Sequence, residues 1–334
     1  MRPVYMRGQR SRARGRRVAV LLEPGVLEGV ARTTIAKLRR AGYITLESVA
    51  ATPVRELVER TGMGEPTAVK VSHLARMMVD PGFVPAREVL ERRKDMMRCT
   101  TGSSRLDGIL GGGVETGAIT ELIGEFGSGK TQICMTLSVT AQQPPEEGGL
   151  GGRVAVIDTE NTFLPERVVQ IAESRGIDAE KVLNGLLVAR CYNTDHLVIL
   201  IDSLSRLVEE QRVRLVIVDS MIGHFRGEYI GRENLAPRQQ KLGSCLSRLL
   251  RLAETSNIAV VVTNQVQATP NVNYGDPNKP TGGHVMGHAC THRVYLRKGK
   301  ANTRLARVID SPSLPEVRVR FAITEKGVED AEEE

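Results

Sequence analysis

Residues 118–139, AITELIGEFGSGKTQICMTLSV, constrain the fold more than any other segment. An apolar run of strand length enters a glycine-rich loop, and the loop turns at once into an apolar helix. From Thr101 onward the pattern continues as alternating apolar strands and helices. Five apolar runs read as its strands: Ile119–Ile123, Val154–Ile157, Leu186–Ala189, Leu215–Val218 and Ala259–Thr263. Their continuity predicts central parallel strands buried on both faces, hence an α/β domain with a mostly parallel sheet over residues 99–330.

The loop itself matches G-x-x-x-x-G-K-[ST] across Gly124, Glu125, Phe126, Gly127, Ser128, Gly129, Lys130 and Thr131. Glycines let backbone wrap phosphate oxygens, and amides at the following helix start point at the anion. Lys130 is placed to neutralise the β- and γ-phosphates of ATP, and the Thr131 hydroxyl to coordinate Mg2+. The run LVIVD ends in Asp219, a carboxylate placed to hold the same Mg2+ through water. The run VIDTE ends in Asp158 and Glu160, either of which is placed to polarise an attacking water, the other serving as a cap. At the end of another run, Gln265 offers an amide for sensing the γ-phosphate, or a plain strand cap.

The remaining chain divides by composition. Residues 1–17 carry seven arginines and no acidic residue. Removing them from the 46 basic residues leaves 39, equal to the 39 acidic ones, so the net charge of +7 belongs to this segment. It reads as a basic, disordered tail suited to brushing nucleic acid; an organelle transit peptide has a similar composition but more length and serine. Residues 18–80 read as short helices broken by glycine, with helices over Thr33–Arg40 and Pro66–Met78 and Pro53 opening another. Residues 81–98 form a charged linker fronted by an isolated Phe83, and residues 331–334 a short acidic tail. Two polar stretches, His224–Leu235 and Gln267–Gly287, interrupt the α/β pattern as long loops of the kind that carry function. The five cysteines are widely spaced without a C-x-x-C pair, which excludes a zinc ribbon or disulfide framework and suits a reducing cytosol. No apolar run is long enough to span a bilayer, so no membrane partner is expected. His284 and His288 stand four apart without a third ligand, which argues against a metal site.

After the tail, the chain resembles the archaeal RadA and eukaryotic strand-exchange recombinases, the archaeal branch most. The resemblance rests on GEFGSGKTQ (124–132), IDTENTF (157–163), FRGEYIGRENLAPRQQKL (225–242), NQVQA (264–268), and the later GGH and LRKGK. It implies a RecA-like P-loop ATPase core behind a small all-α helix-hairpin-helix domain. It also implies a DNA-dependent ATPase that exchanges DNA strands within a filament on single-stranded DNA, in a nucleoid-associated, cytoplasmic setting. By the same resemblance Glu160 is the catalytic base, Arg167 contacts adenine, and Gln265 couples the γ-phosphate to the loop after it. Arg226, Tyr229 and Arg232 in the first polar stretch, Arg238 just after it, and Gly282, Gly283 and His284 in the second, contact DNA. Phe83 and Ala86 match an F-x-x-A polymerisation motif, and Asp310 and Pro312 match a segment capping the nucleotide of an adjoining subunit. Partners would be single- and double-stranded DNA, further copies of the chain in filaments or rings, and recombination mediators or paralogues.

The match is not uniform. Ala31 stands where the first hairpin usually has a glycine, Leu164 and Thr269 replace common arginines, and Val317-Arg318 replaces a usual Gly-Glu. Two other readings share the ATPase pattern: a non-catalytic paralogue that stabilises another protein's filament, and a ring-shaped replicative helicase. Paralogues commonly lack the helical module, the F-x-x-A motif or intact loops, all present here. The linker and the N-terminal module argue against the helicase.

Overall fold

The computed structural model describes residues 19–79, 82–268 and 278–332. Four helices form the N-terminal module: α1 (Arg32–Arg40), α2 (Leu46–Ala51), α3 (Val54–Thr61) and α4 (Glu65–Val79). Thr45 and Ser48 cap α2 reciprocally, while Gly62 ends α3 in a left-handed conformation at φ 62° that turns the chain into α4. Pro53 is the N-cap of α3 and not its first residue. Leu22, Leu38, Leu46, Leu57 and Val71 close a core of the module's own. The linker helix α5 (Ala86–Arg93) follows and buries none of its residues.

The rest of the chain runs β1 (Arg98–Cys99), α6 (Ser104–Ile109), β2 (Val114–Glu115), β3 (Ala118–Gly124) and α7 (Lys130–Thr140). Next come β4 (Arg153–Asp158), α8 (Pro165–Ser174), α9 (Ala179–Asn184), β5 (Leu186–Arg190), α10 (Thr194–Gln211) and β6 (Val213–Asp219). Then follow α11 (Gly223–Glu228), α12 (Leu235–Ser256), β7 (Ala259–Asn264), β8 (Val266–Ala268), β9 (Asn278–Pro280) and α13 (Gly283–Ala289). The last strands are β10 (His292–Lys298), β11 (Thr303–Asp310), β12 (Arg318–Thr324) and β13 (Gly327–Asp330).

Among the described residues the main sheet has the order β13-β12-β11-β10-β3-β7-β6-β4-β5. From β10 to β5 every pairing is parallel, and β11 to β13 join antiparallel. Alternate residues serve opposite faces. Ile157, Val216, Val218, Val260 and Val262 pack beneath α10 and α12, while Val154, Val156, Leu215, Ile217 and Val261 pack with Ile133 and Leu137 of α7. Both faces of β4, β6 and β7 are therefore dry, which is why these strands read as unbroken apolar runs.

Three expectations need correction. The run Leu186–Ala189 is not central: β5 is an edge strand, and its Val188 stays about half exposed. His224–Leu235 is not one loop, because α11 occupies its first part. In Gln267–Gly287, β8 and β9 pair antiparallel as a stem and Gly283 opens α13; Thr269 and the rest of 269–277 lie outside the described residues, as do residues 1–18.

Candidate functional site

The parallel strands β3, β7, β6 and β4 are adjacent and end on the same side, so the residues that follow them meet at one rim of the sheet. After β3 comes the glycine loop. A side chain on Gly124 would sit 2.4 Å from Ser128 Oγ and 2.6 Å from the Leu296 carbonyl, so only glycine permits the turn. Gly127 and Gly129 take φ of 76° and 104°, which L-residues rarely adopt, and Gly129 is the N-cap of α7. Within this cradle the Ser128 hydroxyl is buried without a partner. Lys130 Nζ donates to the Gly124 and Glu125 carbonyls, each at 2.9 Å. Burial pulls its ammonium below the usual lysine range, opposed by the Asp219 and Glu160 carboxylates. Phe126 is fully exposed at the loop tip.

After β6, Asp219 is buried and accepts from Thr263 Oγ1 at 2.5 Å and from the Thr131 hydroxyl. Burial pushes its carboxyl up, against those hydrogen bonds and the nearby Lys130. After β4 the two carboxylates part ways. Asp158 is buried and accepts backbone N–H bonds from Glu160, Thr162 and Phe163 at 3.1 to 3.3 Å, so it holds the loop. Glu160 is exposed, and its Oε1 accepts from Gln265 Nε2 at 2.7 Å. Gln265 follows β7, and its Oε1 accepts from Arg226 Nη1, also at 2.7 Å.

These residues fit a nucleotide triphosphate and a divalent cation. A glycine cradle, an unpartnered buried hydroxyl and a half-buried ammonium suit a phosphate chain. A buried carboxylate beside the Thr131 hydroxyl suits a hard cation with oxygen ligands. Among the described residues no group of three or more His, Cys, Asp and Glu side chains could hold a metal alone.

Arg167 lies beside the same rim, donating to Gln132 Oε1 at 2.9 Å and to the carbonyls of Thr324 and Glu325. Asp310 and Pro312 do not join it. Asp310 pairs with Arg293, which pairs with Glu121, three residues before Gly124. Asp310 therefore sits roughly 10 Å back along the strands from its own loop, at about 3.3 Å per residue.

In the first polar stretch Arg226 and Arg232 are exposed, and just after it, in α12, Arg238 has a buried Nε with no partner. Tyr229 is half-buried, packed 6.1 Å from the Phe225 ring centroid and accepting from Lys241 Nζ at 3.2 Å. In the second, Gly282 takes φ 90° as the N-cap of α13, Gly283 and His284 are exposed, and a Cβ on Gly283 would lie 3.9 Å from Gln239 Nε2 of α12. The start of α12, which continues from the first stretch, thus lies beside α13. Phe83 and Ala86 lie apart, both exposed, and Phe83 packs on no local helix as a staple would.

Two residues escaped the sequence reading. Glu121 of β3 is fully buried, paired with Arg293 at 2.6 Å and bonded by Asn264 Nδ2 at 2.7 Å. Asn264 Nδ2 also donates to the Thr281 carbonyl, tying that part of the second stretch to the sheet centre. A glutamate inside an apolar strand was the available signal. Arg304 Nε donates to the Gly127 carbonyl at 3.0 Å and braces the glycine loop, with no local signal at all.

A sheet of this order, with a phosphate loop after β3 and carboxylates after its neighbours, is the RecA-like fold of a P-loop ATPase. A family model described as Rad51 matches residues 92–331, and the chain belongs to the Rad51 family. That places it among the RecA-like recombinases, DNA-dependent ATPases that use ATP with Mg2+ and act in DNA strand exchange. Residues before 92, including the helical module, lie outside the match. No helix among the described residues is long and apolar enough to cross a membrane.

Proposed function

We propose that the chain is an ATP-dependent strand-exchange recombinase of the archaeal RadA branch. It assembles as a helical filament on single-stranded DNA and pairs it with homologous duplex in recombination and double-strand-break repair. The observation that carries this is the line of hydrogen bonds Glu160–Gln265–Arg226, which joins a carboxylate at the phosphate rim to an arginine of the first polar stretch.

Each residue has a definable task. The loop 124–129 and Lys130 hold and neutralise the β- and γ-phosphates, and Thr131 with Asp219 holds Mg2+, Asp219 through water. Glu160 takes the proton of the attacking water. Arg167 lies beside the base of the nucleotide. When bound, ATP supplies the phosphoanhydride bond whose cleavage is coupled to filament state. Arg226, Arg232 and Arg238 pair with DNA phosphates, with Tyr229 supporting them from its packed position, and Gly282, Gly283 and His284 extend the same face. Residues 18–80 act as a helix-hairpin-helix module for duplex phosphates, and residues 1–17 as a further basic contact.

Phe83 and Ala86 dock on the core of a neighbouring copy, for which β5, the edge strand of the sheet among the described residues, and the exposed Tyr192 and Ile199 offer an apolar surface. Asp310 and Pro312 then cap the neighbour's nucleotide. The working setting is cytoplasmic, on the nucleoid. Electron microscopy of the protein with single-stranded DNA and Mg2+, with and without ATP, tests the reading. Filaments that require ATP are expected; isolated particles under both conditions would oppose it.

A further inference from the structure

Gln265 is held at both ends of its carboxamide, by Glu160 through Nε2 and by Arg226 through Oε1. The guanidinium has only donors and the carboxylate only acceptors, so this pair of partners dictates which way the amide faces. Turning it over would set donor against donor and acceptor against acceptor. The short helix α11, which carries Arg226, lies close enough to Glu160 for this. A Cβ on its Gly223 would come within 3.1 Å of Thr159 Oγ1 and 3.7 Å of Glu160 Oε1. Arg226 thereby determines that an N–H covers an oxygen of Glu160 that would otherwise accept a proton from water.

We propose that Arg226 is a positioning residue that masks Glu160 through Gln265, and that a DNA phosphate unmasks it by taking the guanidinium. This rests on the nucleotide and DNA reading above. A phosphate offers Arg226 a charge-assisted, bidentate partner in place of one neutral amide oxygen, so the exchange favours DNA. Once Arg226 has left, the carboxamide is free to turn and the Glu160 oxygen is free for water. Arg226 therefore does two jobs, binding DNA and restraining hydrolysis in its absence, and only the second distinguishes it from Arg232 and Arg238.

The test is steady-state ATP hydrolysis by the full chain and by Arg226→Ala and Arg226→Lys, at saturating ATP and Mg2+. Each is measured without DNA and along a titration with oligo-dT whose binding is followed by anisotropy. Without DNA, Arg226→Ala should turn over roughly fivefold faster than the wild type, about what one exposed hydrogen bond is worth, with little change in KM for ATP. At DNA concentrations where anisotropy has saturated, its fold stimulation should be smaller than the wild type's by a similar factor. Arg226→Lys should fall between the two. A DNA-free rate unchanged or lowered in Arg226→Ala, with wild-type thermal unfolding, overturns the mask; if that variant unfolds early, Arg226→Lys decides by the same criterion. Failure of the parent reading looks different: the wild type itself would hydrolyse no faster with DNA, and the mask would fall with it.

Discussion

The phosphate loop and the linker ahead of the core are held in opposite ways. The loop follows a strand whose every residue is buried, is braced by Arg304, and feeds a helix packed into the sheet's core. The linker helix buries nothing, and the phenylalanine before it is fully exposed. The loop is anchored at both ends within one chain, by the buried strand before it and the packed helix after it. An exposed aromatic on an unburied linker makes physical sense when a second surface covers it. Chemistry and assembly are thus separable here, and substitutions should separate them.

The largest effect should come from the loop. Lys130→Ala removes the cation that balances the phosphates, and hydrolysis should fall by about 100-fold or more while the subunit stays folded. Ordinary turnover by that variant in a phosphate-release assay would remove the loop from the mechanism. Glu160→Gln should slow hydrolysis by roughly 100-fold yet still bind a fluorescent ATP analogue, since only the proton acceptor is lost.

Against these, Phe83→Glu should leave the single-subunit chemistry intact and break the assembly. Fully burying such a ring is worth roughly 1.5–3 kcal/mol by transfer, repeated at every contact, and a buried unpaired charge adds a further penalty. The variant should elute as a small species with wild-type thermal unfolding and much reduced DNA-stimulated hydrolysis, Phe83→Ala being milder. Long filaments of Phe83→Glu would erase the contrast.

Much of the loop's half of this comparison was legible in the sequence. Spacing alone located the phosphate loop, because few arrangements besides a strand, glycines, lysine and helix place amides on an anion. Strands β3, β4, β6 and β7 showed as apolar runs because both their faces are covered. The same signal misplaced β5, whose run Leu186–Ala189 is equally apolar although Val188 faces outward. Strands β10 to β13 were invisible, since runs such as HRVYLRK and RVRFAIT interleave arginines with core residues. The residues alone left Asp158 and Glu160 open and only the resemblance chose Glu160, because what separates them physically is three backbone N–H groups that all point at Asp158. The Arg304 brace depends on a partner 177 residues away, beyond any local pattern.

Smaller effects sharpen the account. Burial raises the Asp219 carboxyl above the ordinary carboxylate range, so Mg2+ must compete with a proton there sooner than at an exposed aspartate. Apparent Mg2+ affinity for the nucleotide complex should fall as pH drops toward that raised value, steepening to about tenfold per pH unit below it. The sign for stability is the reverse. A raised carboxyl favours the folded state at low pH, and that contribution is lost as pH rises through the folded value. Magnesium titrations at decreasing pH, with Asp219→Asn as the insensitive comparison, check the first statement. Smallest of all, Arg232→Ala should reduce the salt slope of single-strand binding by roughly 0.7 if it contacts one phosphate. An unchanged slope would return that arginine to a solvated face.

Strand exchange between a circular single strand and its homologous linear duplex tests the central claim most directly. The wild-type chain with ATP and Mg2+ should yield joint molecules with homologous DNA and none with heterologous DNA, and Lys130→Ala should yield none with either. Filaments that bind ATP and DNA but form no joint molecules would contradict the account, and would favour a paralogue that stabilises the filament of another recombinase.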